Sequence, residues 1–276
     1  MSLQTLSEWL RCPNCFRPLS PAGPLTLRCG AGHSFDVNKR GFVSLADGSR
    51  RLIGDSAAMV DARALFLATG WYEPLRERLA DRVAAENPSR VLDVGCGTGY
   101  YLKGVLGVSA GVSALGMDLS PVAVRRTVSG QDQIDGLVAD VWSPLPVRDS
   151  SVDVILNVFA PRNPSEFHRV LREHGMLVVV VPQASHLQEL RASGLVLDVP
   201  PNKGDQLSET LSPAFELETR DELSYVLQLD HAQAAALIGM GPAAHHIDSD
   251  ALTLQLSGMQ TVTASFELLG YRRMSI

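Results

Sequence analysis

The sequence predicts an α/β protein in which a small N-terminal metal-binding module and a helical connector precede a Rossmann-like domain with a mostly parallel sheet of seven strands. Three observations lead to this prediction. Cysteines and a histidine cluster near the N-terminus, a buried strand leads into a glycine-rich turn within residues 90–102, and short apolar strands alternate with helical segments after that turn. We therefore expect three regions, at 1–50, 51–88 and 89–276.

Composition and charge limit the classes of function. The 276 residues carry 24 basic and 30 acidic side chains, a net charge of −6. Residues 1–52 hold seven of the basic and three of the acidic side chains, a balance of +4, so the remainder has a balance of −10. A basic module on an acidic body indicates a polyanionic partner bound at one end, and a chance fluctuation is the alternative. The sequence has no apolar run of membrane-spanning length and no secretory signal, so we expect a cytoplasmic protein without a membrane partner.

The N-terminal module carries three of the four cysteines. Two residues separate Cys12 from Cys15. After thirteen more residues come Cys29 and His33, which three residues separate. Two such pairs form tight turns that direct four donors at one ion, as in a closed structural zinc site. We expect one Zn2+ here, and metal binding should supply much of the stability of so small a module. The alternative is a set of unliganded buried thiols.

Basic residues lie on and after the second pair of metal ligands. They are Arg28, Lys39, Arg40, Arg50 and Arg51. Phe35 and Phe42 lie among them, and cationic groups beside aromatic rings are typical of surfaces that contact phosphates and stack on bases. The two phenylalanines can equally form the small core of the module, and the sequence leaves both interpretations open.

The connector is predicted to form two helices. Asp55 or Ser56 would cap the first helix, and Gly70 would end it. The second helix would begin near Pro74, followed by apolar residues at intervals of four. These helices would join the module to the domain that follows.

The glycine-rich turn follows a buried strand that contains Asp93. Gly95, Gly97 and Gly99 would let the backbone pass close beneath a bound ligand, and a helix begins directly afterwards. Alone, such a turn is compatible with several nucleotide ligands. The acid inside the strand differs from the apolar strand of the dinucleotide fingerprint, and the lack of Lys-Ser or Lys-Thr after the last glycine excludes a Walker-type phosphate loop.

Two further acids end the next two strands. Asp118 follows the turn by about 20 residues, where a carboxylate can bind both ribose hydroxyls of an adenosine. Asp140 is placed to meet the adenine amino group, with Val141 and Trp142 beside the ring, or alternatively to cap the next turn. Because parallel strands end at the same sheet edge, these acids and the glycines should share one site.

Together these motifs resemble the class I methyltransferases that use S-adenosylmethionine, and the whole chain resembles the RlmA-type methyltransferases of the large ribosomal RNA. The resemblance covers nearly the full length. It consists of the four metal-binding residues and then, in order, HSFDVNKRGFVSL, GDSAAMVDARALFL, GWYEPL, VLDVGCGTGYY, NVFAPRNPSEFHRVL and SHLQEL. It implies methylation of a guanine at N1 in a 23S rRNA hairpin, with the metal-binding module helping to grip the RNA.

The resemblance also implies particular residues and an assembly. S-adenosylmethionine contacts are implied for Tyr72, for the turn from Gly95 through Thr98 and Gly99 to Tyr100, and for His186. Without the resemblance, Tyr72 could simply pack at a helix start, and His186 could lie on a helix surface. A homodimer is implied as well, and the FAPRN segment is similar to the branch from Gram-positive bacteria linked to macrolide resistance.

The chemistry requires a group that removes the N1 proton of guanine or stabilises the resulting anion. Two candidates are Asn157, at the end of the fourth predicted strand, and Asp55, from the connector. Methyl transfer itself mainly requires alignment of nucleophile, methyl group and sulfur. A guanine in a hairpin loop is also easier to flip out than a paired one.

Two other functions stay open at this stage. A methyltransferase of the same fold with a small-molecule acceptor would not need the metal-binding module for catalysis, and the positive charge of that module argues against it. A catalytically inactive RNA- or protein-binding factor is the second alternative. The intact acids and glycines of the predicted site argue against it, because a decayed pocket would show substitutions there.

Overall fold

The structure of the chain is a computed structural model that describes residues 3–46, 54–241 and 258–275. Its helices are α1 (Leu3–Trp9), α2 (Ala57–Ala68), α3 (Glu73–Ala84), α4 (Tyr100–Val108), α5 (Pro121–Val128), α6 (Pro164–Val170), α7 (Gln188–Ala192), α8 (Lys203–Leu211) and α9 (His231–Gly239). Its strands are β1 (Leu19–Gly23), β2 (Thr26–Cys29), β3 (Ser34–Asn38), β4 (Phe42–Ser44), β5 (Arg90–Val94), β6 (Ser113–Asp118), β7 (Ile134–Val138), β8 (Val152–Val158), β9 (Leu171–Pro182), β10 (Phe215–Leu229) and β11 (Gln260–Arg273).

The strands form one continuous sheet in the order β1-β2-β3-β4-β7-β6-β5-β8-β9-β11-β10. Strands β4 to β9 pair in parallel in the centre, and β11 runs antiparallel between β9 and β10. The predicted α/β class with a mostly parallel central sheet is confirmed, but the predicted number of seven strands is wrong, because the sheet has eleven.

The four additional strands come from the N-terminal module. β4 pairs in parallel with β7, with Val43 opposite Leu137, and β3 pairs antiparallel with β4. The module therefore extends the sheet edge that β7 would otherwise expose. This pairing satisfies the backbone groups of an edge strand, which are costly or prone to aggregation when left open.

Two layers of helices cover the sheet. One apolar cluster lies between the sheet and α2, α3, α4, α5, α7 and α9. A second cluster lies on the opposite face, with α1, α6, α8 and the N-terminal strands. Successive sheet residues alternate between the two clusters, as the pleat requires: Val91 faces the first, and Leu92 faces the second.

The connection between β7 and β8 contains no helix, and α1 packs on the second face of the sheet in its place. Residues 139–151, all of which the structure describes, form no helix. Trp9, 1% exposed, and the fully buried Leu6 and Leu10 pack into that cluster instead. The Arg148 guanidinium donates to the carbonyls of Ser7, Leu10 and Leu19 at 2.7–3.1 Å, which holds the end of α1 against the loop before β8.

The connector helices position one wall of the site described next. The Ser56 hydroxyl caps α2 by accepting from the Met59 amide at 3.3 Å, and Gly70 follows the helix at φ +83°. In α3, Pro74 lies in the first turn, and Leu75, Leu79 and Val83 are buried. None of the described helices is long and apolar enough to span a membrane. The predicted region boundary at residue 50 lies outside the described residues, as do Arg50 and Arg51.

Candidate functional site

A cavity of about 720 Å³ opens at the C-terminal ends of β5 to β9, in the size range of pockets that bury a whole small ligand. Ten of the twelve residues predicted for cofactor binding or catalysis line it: Asp55, Tyr72, Asp93, Gly95, Gly97, Thr98, Tyr100, Asp118, Asp140 and His186. Gly99 and Asn157 are not among the lining residues. The structure therefore gathers residues from the connector, the glycine-rich turn, the ends of two further strands and the segment after β9 at one place.

The glycine-rich turn has the backbone that its glycines predict. Gly95, Gly97 and Gly99 have φ values of +82°, +53° and +72°, a region that side chains with a Cβ disfavour. A Cβ on Gly95 would collide with Ala160, and one on Gly99 would lie 2.9 Å from the Thr127 side chain. Gly95 and Gly99 thus allow close packing against Ala160 and Thr127, and a Cβ on Gly97 would lie 3.3 Å from the Arg63 guanidinium.

The acids of the cavity differ in their surroundings. Asp93 is 2% exposed, and burial, together with the nearby charge of Asp118, raises its pKa to about 8. Asp118 accepts hydrogen bonds from the amides of Gly97 at 3.0 Å and Ser120 at 2.9 Å, and burial still raises its pKa. These bonds join the glycine-rich turn to the end of β6.

Asp140 has the turn-capping contacts that the sequence left as its alternative role. Its carboxylate accepts from the Trp142 amide and from the Ser143 hydroxyl, both at 2.9 Å. Its side chain nevertheless lines the cavity, and so does that of Trp142, which is 61% exposed. Both interpretations are therefore compatible with the position of Asp140.

Aromatic rings form another part of the cavity lining. The ring of His186 lies 4.7 Å from that of Phe266 and 6.4 Å from that of Tyr72, measured between centroids. The Ser265 amide donates to His186 Nδ1 at 3.2 Å, and burial lowers the pKa of the imidazole to about 3. His186 is therefore neutral, and because Nδ1 accepts, its proton lies on Nε2.

The two predicted catalytic residues have different surroundings. Asn157 is fully buried, and its amide donates to the carbonyls of Val94 and Pro161 while it accepts from Arg162 Nε at 2.9 Å. Asp55 lines the cavity and forms an ion pair with Arg63. No contact of either residue shows a role in proton transfer, which stays a prediction.

Several cavity residues were absent from the sequence prediction. Arg63, Tyr101 and Lys203 line it, as do residues 196–199, from the stretch before α8 whose role the sequence did not indicate. Arg63 lies on the face of α2 toward the turn, and Lys203 begins α8. Arg63 and Tyr101 belong to segments that carry the resemblance, but the sequence did not single them out, and Lys203 reaches the site only because α8 packs beside it.

The metal-binding residues converge as predicted. The donor atoms of Cys12, Cys15, Cys29 and His33 all lie within 4.8 Å of one another. Neighbouring donors are closer: Cys15 and Cys29 sulfurs are 3.6 Å apart, and His33 Nδ1 is 3.4 Å from the Cys29 sulfur. Ligands at tetrahedral angles around zinc are separated by about 3.5–3.8 Å. The four residues could therefore bind a structural zinc ion.

The aromatic residues of the module divide between core and surface. Phe42 is 9% exposed in the first cluster, and Phe35 is partly buried against the second, so both belong largely to the core. Phe16 is instead 50% exposed, on the turn of the first metal-binding pair, with Arg11 stacked 4.6 Å from its ring. The exposed aromatic ring is one that the sequence analysis did not select.

Comparison with known proteins agrees with this geometry. Residues 92–179 match the family described as "Methyltransferase domain". A 23S rRNA (guanine(748)-N(1))-methyltransferase of Streptomyces fradiae is 42% identical over 94% of each chain. A candidate 23S rRNA (guanine-N(1)-)-methyltransferase of Micromonospora griseorubida is 39% identical and covers 95% of this chain and 97% of its own length.

A solved structure supports the fold alone. A candidate methyltransferase of Bacillus halodurans C-125 superposes with a TM-score of 0.51 at 15% identity, covering 72% of this chain and 99% of its own. The fold is therefore that of the class I methyltransferases.

Proposed function

This chain belongs to the family of 23S rRNA (guanine-N1-)-methyltransferases, and on that premise we propose that it transfers a methyl group from S-adenosylmethionine to N1 of a guanine in a 23S rRNA hairpin. The proposal is carried by one observation: the chain combines a cavity beside a glycine-rich turn with a basic metal-binding module. Its similarity to these relatives extends over nearly the whole length of the chain. The Streptomyces fradiae relative is named for guanine 748, so we propose the equivalent guanine as the target.

The proposed cofactor contacts are made by residues that line the cavity. The sulfonium of S-adenosylmethionine supplies an already activated methyl group, so the residues around it mainly bind and orient. Gly95 and Gly97 allow close approach of the backbone, and Asp118 is positioned for the ribose hydroxyls. His186, beside Tyr72 in the cavity lining, offers an Nε2–H donor.

The acceptor half lies where the cavity reaches the surface. Phe159 and Trp142 line it and are 44% and 61% exposed, and Phe159 has a φ of +53° that holds its ring in an uncommon backbone conformation. Exposed aromatic rings at the mouth of a recessed site suit a flipped-out base, which stacks on such rings. Asn157 supports this rim by holding the Pro161 carbonyl and Arg162.

The metal-binding module is proposed to contact the RNA. Arg17, Arg28, Lys39 and Arg40 are exposed on it, and so is the ring of Phe16, with Arg11 stacked on it. Positive charge and an aromatic platform favour phosphate contacts and base stacking. We further propose that the protein acts in the cytoplasm as a homodimer whose two modules frame one RNA. Light scattering coupled to gel filtration tests the dimer.

The experiment that tests the function is methyl transfer from labelled S-adenosylmethionine to unmodified 23S rRNA, followed by primer extension. Methylation at N1 blocks Watson–Crick pairing, so reverse transcriptase should stop one nucleotide before the target. We expect a single new stop next to the guanine equivalent to position 748. Label in RNA at another position would contradict the site, and cofactor binding without label in RNA would favour a small-molecule acceptor.

A further inference from the structure

Arg63 is a cation of the cavity that the assigned cofactor residues leave without a role. It projects from α2, is 25% exposed, and lines the cavity. Its Nη1 pairs with the Asp55 carboxylate, and its Nη2 donates to the Met240 carbonyl at 2.9 Å. Two elements from distant parts of the chain therefore fix the plane of the guanidinium.

This guanidinium lies over the glycine-rich turn. A Cβ built on Gly97 would lie 3.3 Å from Arg63 Nη1, with nothing nearer. Gly97 itself donates its amide to Asp118, so Arg63 is close to the residues proposed to bind the ribose and the sulfur-bearing chain. Because a guanidinium carries five N–H donors, and two are used by Asp55 and Met240, donors are left for a ligand.

The charges of the cavity define what that ligand group should be. Acidic side chains line the cavity, those of Asp55, Asp118 and Asp140 together with Asp198 at the rim, while Asp93 is held protonated by its raised pKa. Among the described lining residues, Arg63 and Lys203 are the basic side chains, since His186 is neutral. An anionic ligand group needs one of these two cations, because an unpaired carboxylate in an acidic cavity is costly.

Lys203 is the less suitable of the two. It begins α8 and lines the cavity, and the titratable groups that its charge interacts with include His186 and Arg162, away from the glycine-rich turn. Arg63 lies beside Gly97, and its planar group can bind a carboxylate through two parallel hydrogen bonds. The position and the geometry of Arg63 therefore both favour a carboxylate held over the turn.

We propose that Arg63 binds the α-carboxylate of the amino-acid end of S-adenosylmethionine, and that Asp55 is the positioning residue that orients its guanidinium. This inference rests on the proposed function only in that S-adenosylmethionine is the cofactor. It assigns Asp55 to cofactor binding through Arg63, which accounts for the position of Asp55 in the cavity without a role in proton transfer.

The test measures binding rather than turnover, by calorimetry with two ligands. S-adenosylhomocysteine carries the amino-acid end, and 5′-methylthioadenosine keeps the adenosine and the sulfur but lacks the carboxylate. We expect Arg63→Gln to weaken S-adenosylhomocysteine binding roughly 10- to 100-fold, the effect of losing a charge-assisted bond, and to change 5′-methylthioadenosine binding less than about 2-fold. Arg63→Lys should retain part of the affinity, and Asp55→Asn should cause a smaller loss with the same selectivity.

Each other outcome overturns the proposal. Equal losses for both ligands would show that Arg63 supports the cavity as a whole, and unchanged binding of both would show that it has no part in it. Lys203→Gln is the matched control, and a selective loss in that variant alone would transfer the role to Lys203. If the wild-type protein binds neither ligand, the proposed function fails together with the inference, whereas wild-type binding without selectivity in Arg63→Gln removes the inference alone.

Discussion

The metal centre and the cofactor cavity are assembled in opposite ways. The four metal ligands lie within 22 residues of one another in sequence, on two tight turns, and their donor atoms all come within 4.8 Å. The cavity instead gathers residues from Gly54 to Gly241, through strands, helices and loops. A local spacing can therefore predict the first site almost completely, whereas the second depends on the packing of the whole sheet.

The two sites nevertheless share one sheet, because β4 pairs with β7 and α1 covers the second apolar cluster. A change that abolishes the metal centre should therefore affect the rest of the fold. Substitutions at the metal centre, in α1, in the cavity and on the module surface should separate this coupling from the properties of each site.

The largest effect is expected for Cys12→Ser, which removes one metal ligand. Structural zinc contributes an amount comparable to the whole stability of a domain, so the free energy of unfolding should fall by roughly 5 kcal/mol or more. Because the module is part of the sheet, the loss should appear in the main unfolding transition. Urea denaturation together with measurement of bound metal tests this.

Cys96→Ala is the control for that experiment. Cys96 is buried in the glycine-rich turn, away from the metal ligands, so this variant should keep one metal ion per chain. Loss of metal from Cys12→Ser without a shift of the main transition would show that the module unfolds independently, and would contradict the coupling.

The second prediction concerns α1. Trp9 is 1% exposed in the second cluster and stacks against the Arg90 guanidinium at 4.0 Å. Trp9→Ala should lower the free energy of unfolding by about 3–5 kcal/mol, the cost of a large cavity in a core. Phe16→Ala, at a ring that is 50% exposed, should change it by less than about 0.5 kcal/mol. Equal effects of both substitutions would show that α1 contributes little to the core.

The third prediction is a pH dependence that belongs to the cavity. The pKa of Asp93 is about 8 in the folded chain, above the value of about 3.9 for an exposed aspartate, so the folded state holds the extra proton between these values. The contribution of Asp93 to the free energy of unfolding should therefore be greatest at or below about pH 4 and should fall as the pH rises towards 8. Asp93→Asn should remove this decline, by at least about 2 kcal/mol between pH 5 and pH 8.

Thermal melts of wild type and Asp93→Asn across that range measure the difference. Metal content should stay constant in both, which separates this effect from titration of the metal ligands. Parallel pH profiles in the two proteins would mean that Asp93 is ionised at neutral pH.

The smallest effect is expected for RNA affinity at the module surface. Loss of one base-stacking ring costs on the order of 1–3 kcal/mol, so Phe16→Ala should weaken 23S rRNA hairpin binding by about 10-fold or more. Val108→Ala, at an exposed apolar residue of α4, is the matched control and should leave binding unchanged. Filter binding at fixed salt compares them, and equal affinities would move the RNA surface away from Phe16.

The difference between the sites also explains what could be predicted from the sequence. The metal ligands, the three glycines and the two strand-end acids are local patterns with a direct chemical meaning. The metal ligands converge as predicted, the glycines have positive φ values, and the acids lie at the cavity, where their cofactor contacts stay a prediction. The strand count was wrong because the three-residue β4 pairs with a strand more than 90 residues away, and no local pattern records such a partner.

Arg63 and Asn157 show the same limit at the level of side chains. Arg63 is one residue of α2, and its hydrogen bond to the Met240 carbonyl joins residues that are 177 positions apart. Asn157 was selected because it ends a strand, but its amide bonds depend on the path of the chain through Pro161. Strand ends indicate where a site lies, whereas the direction of each side chain depends on tertiary packing.

The use of α1 to cover the second face has a consequence for the order of events during synthesis. Leu10, directly after α1, pairs with Val147 in the loop before β8, so it leaves the ribosome 137 residues ahead of this partner. At about 5–20 residues per second, that interval is roughly 7–30 s. The metal turns can close and α1 can pack on β1 and β2 early in this period, but the contact of this module with the loop before β8 forms only at its end.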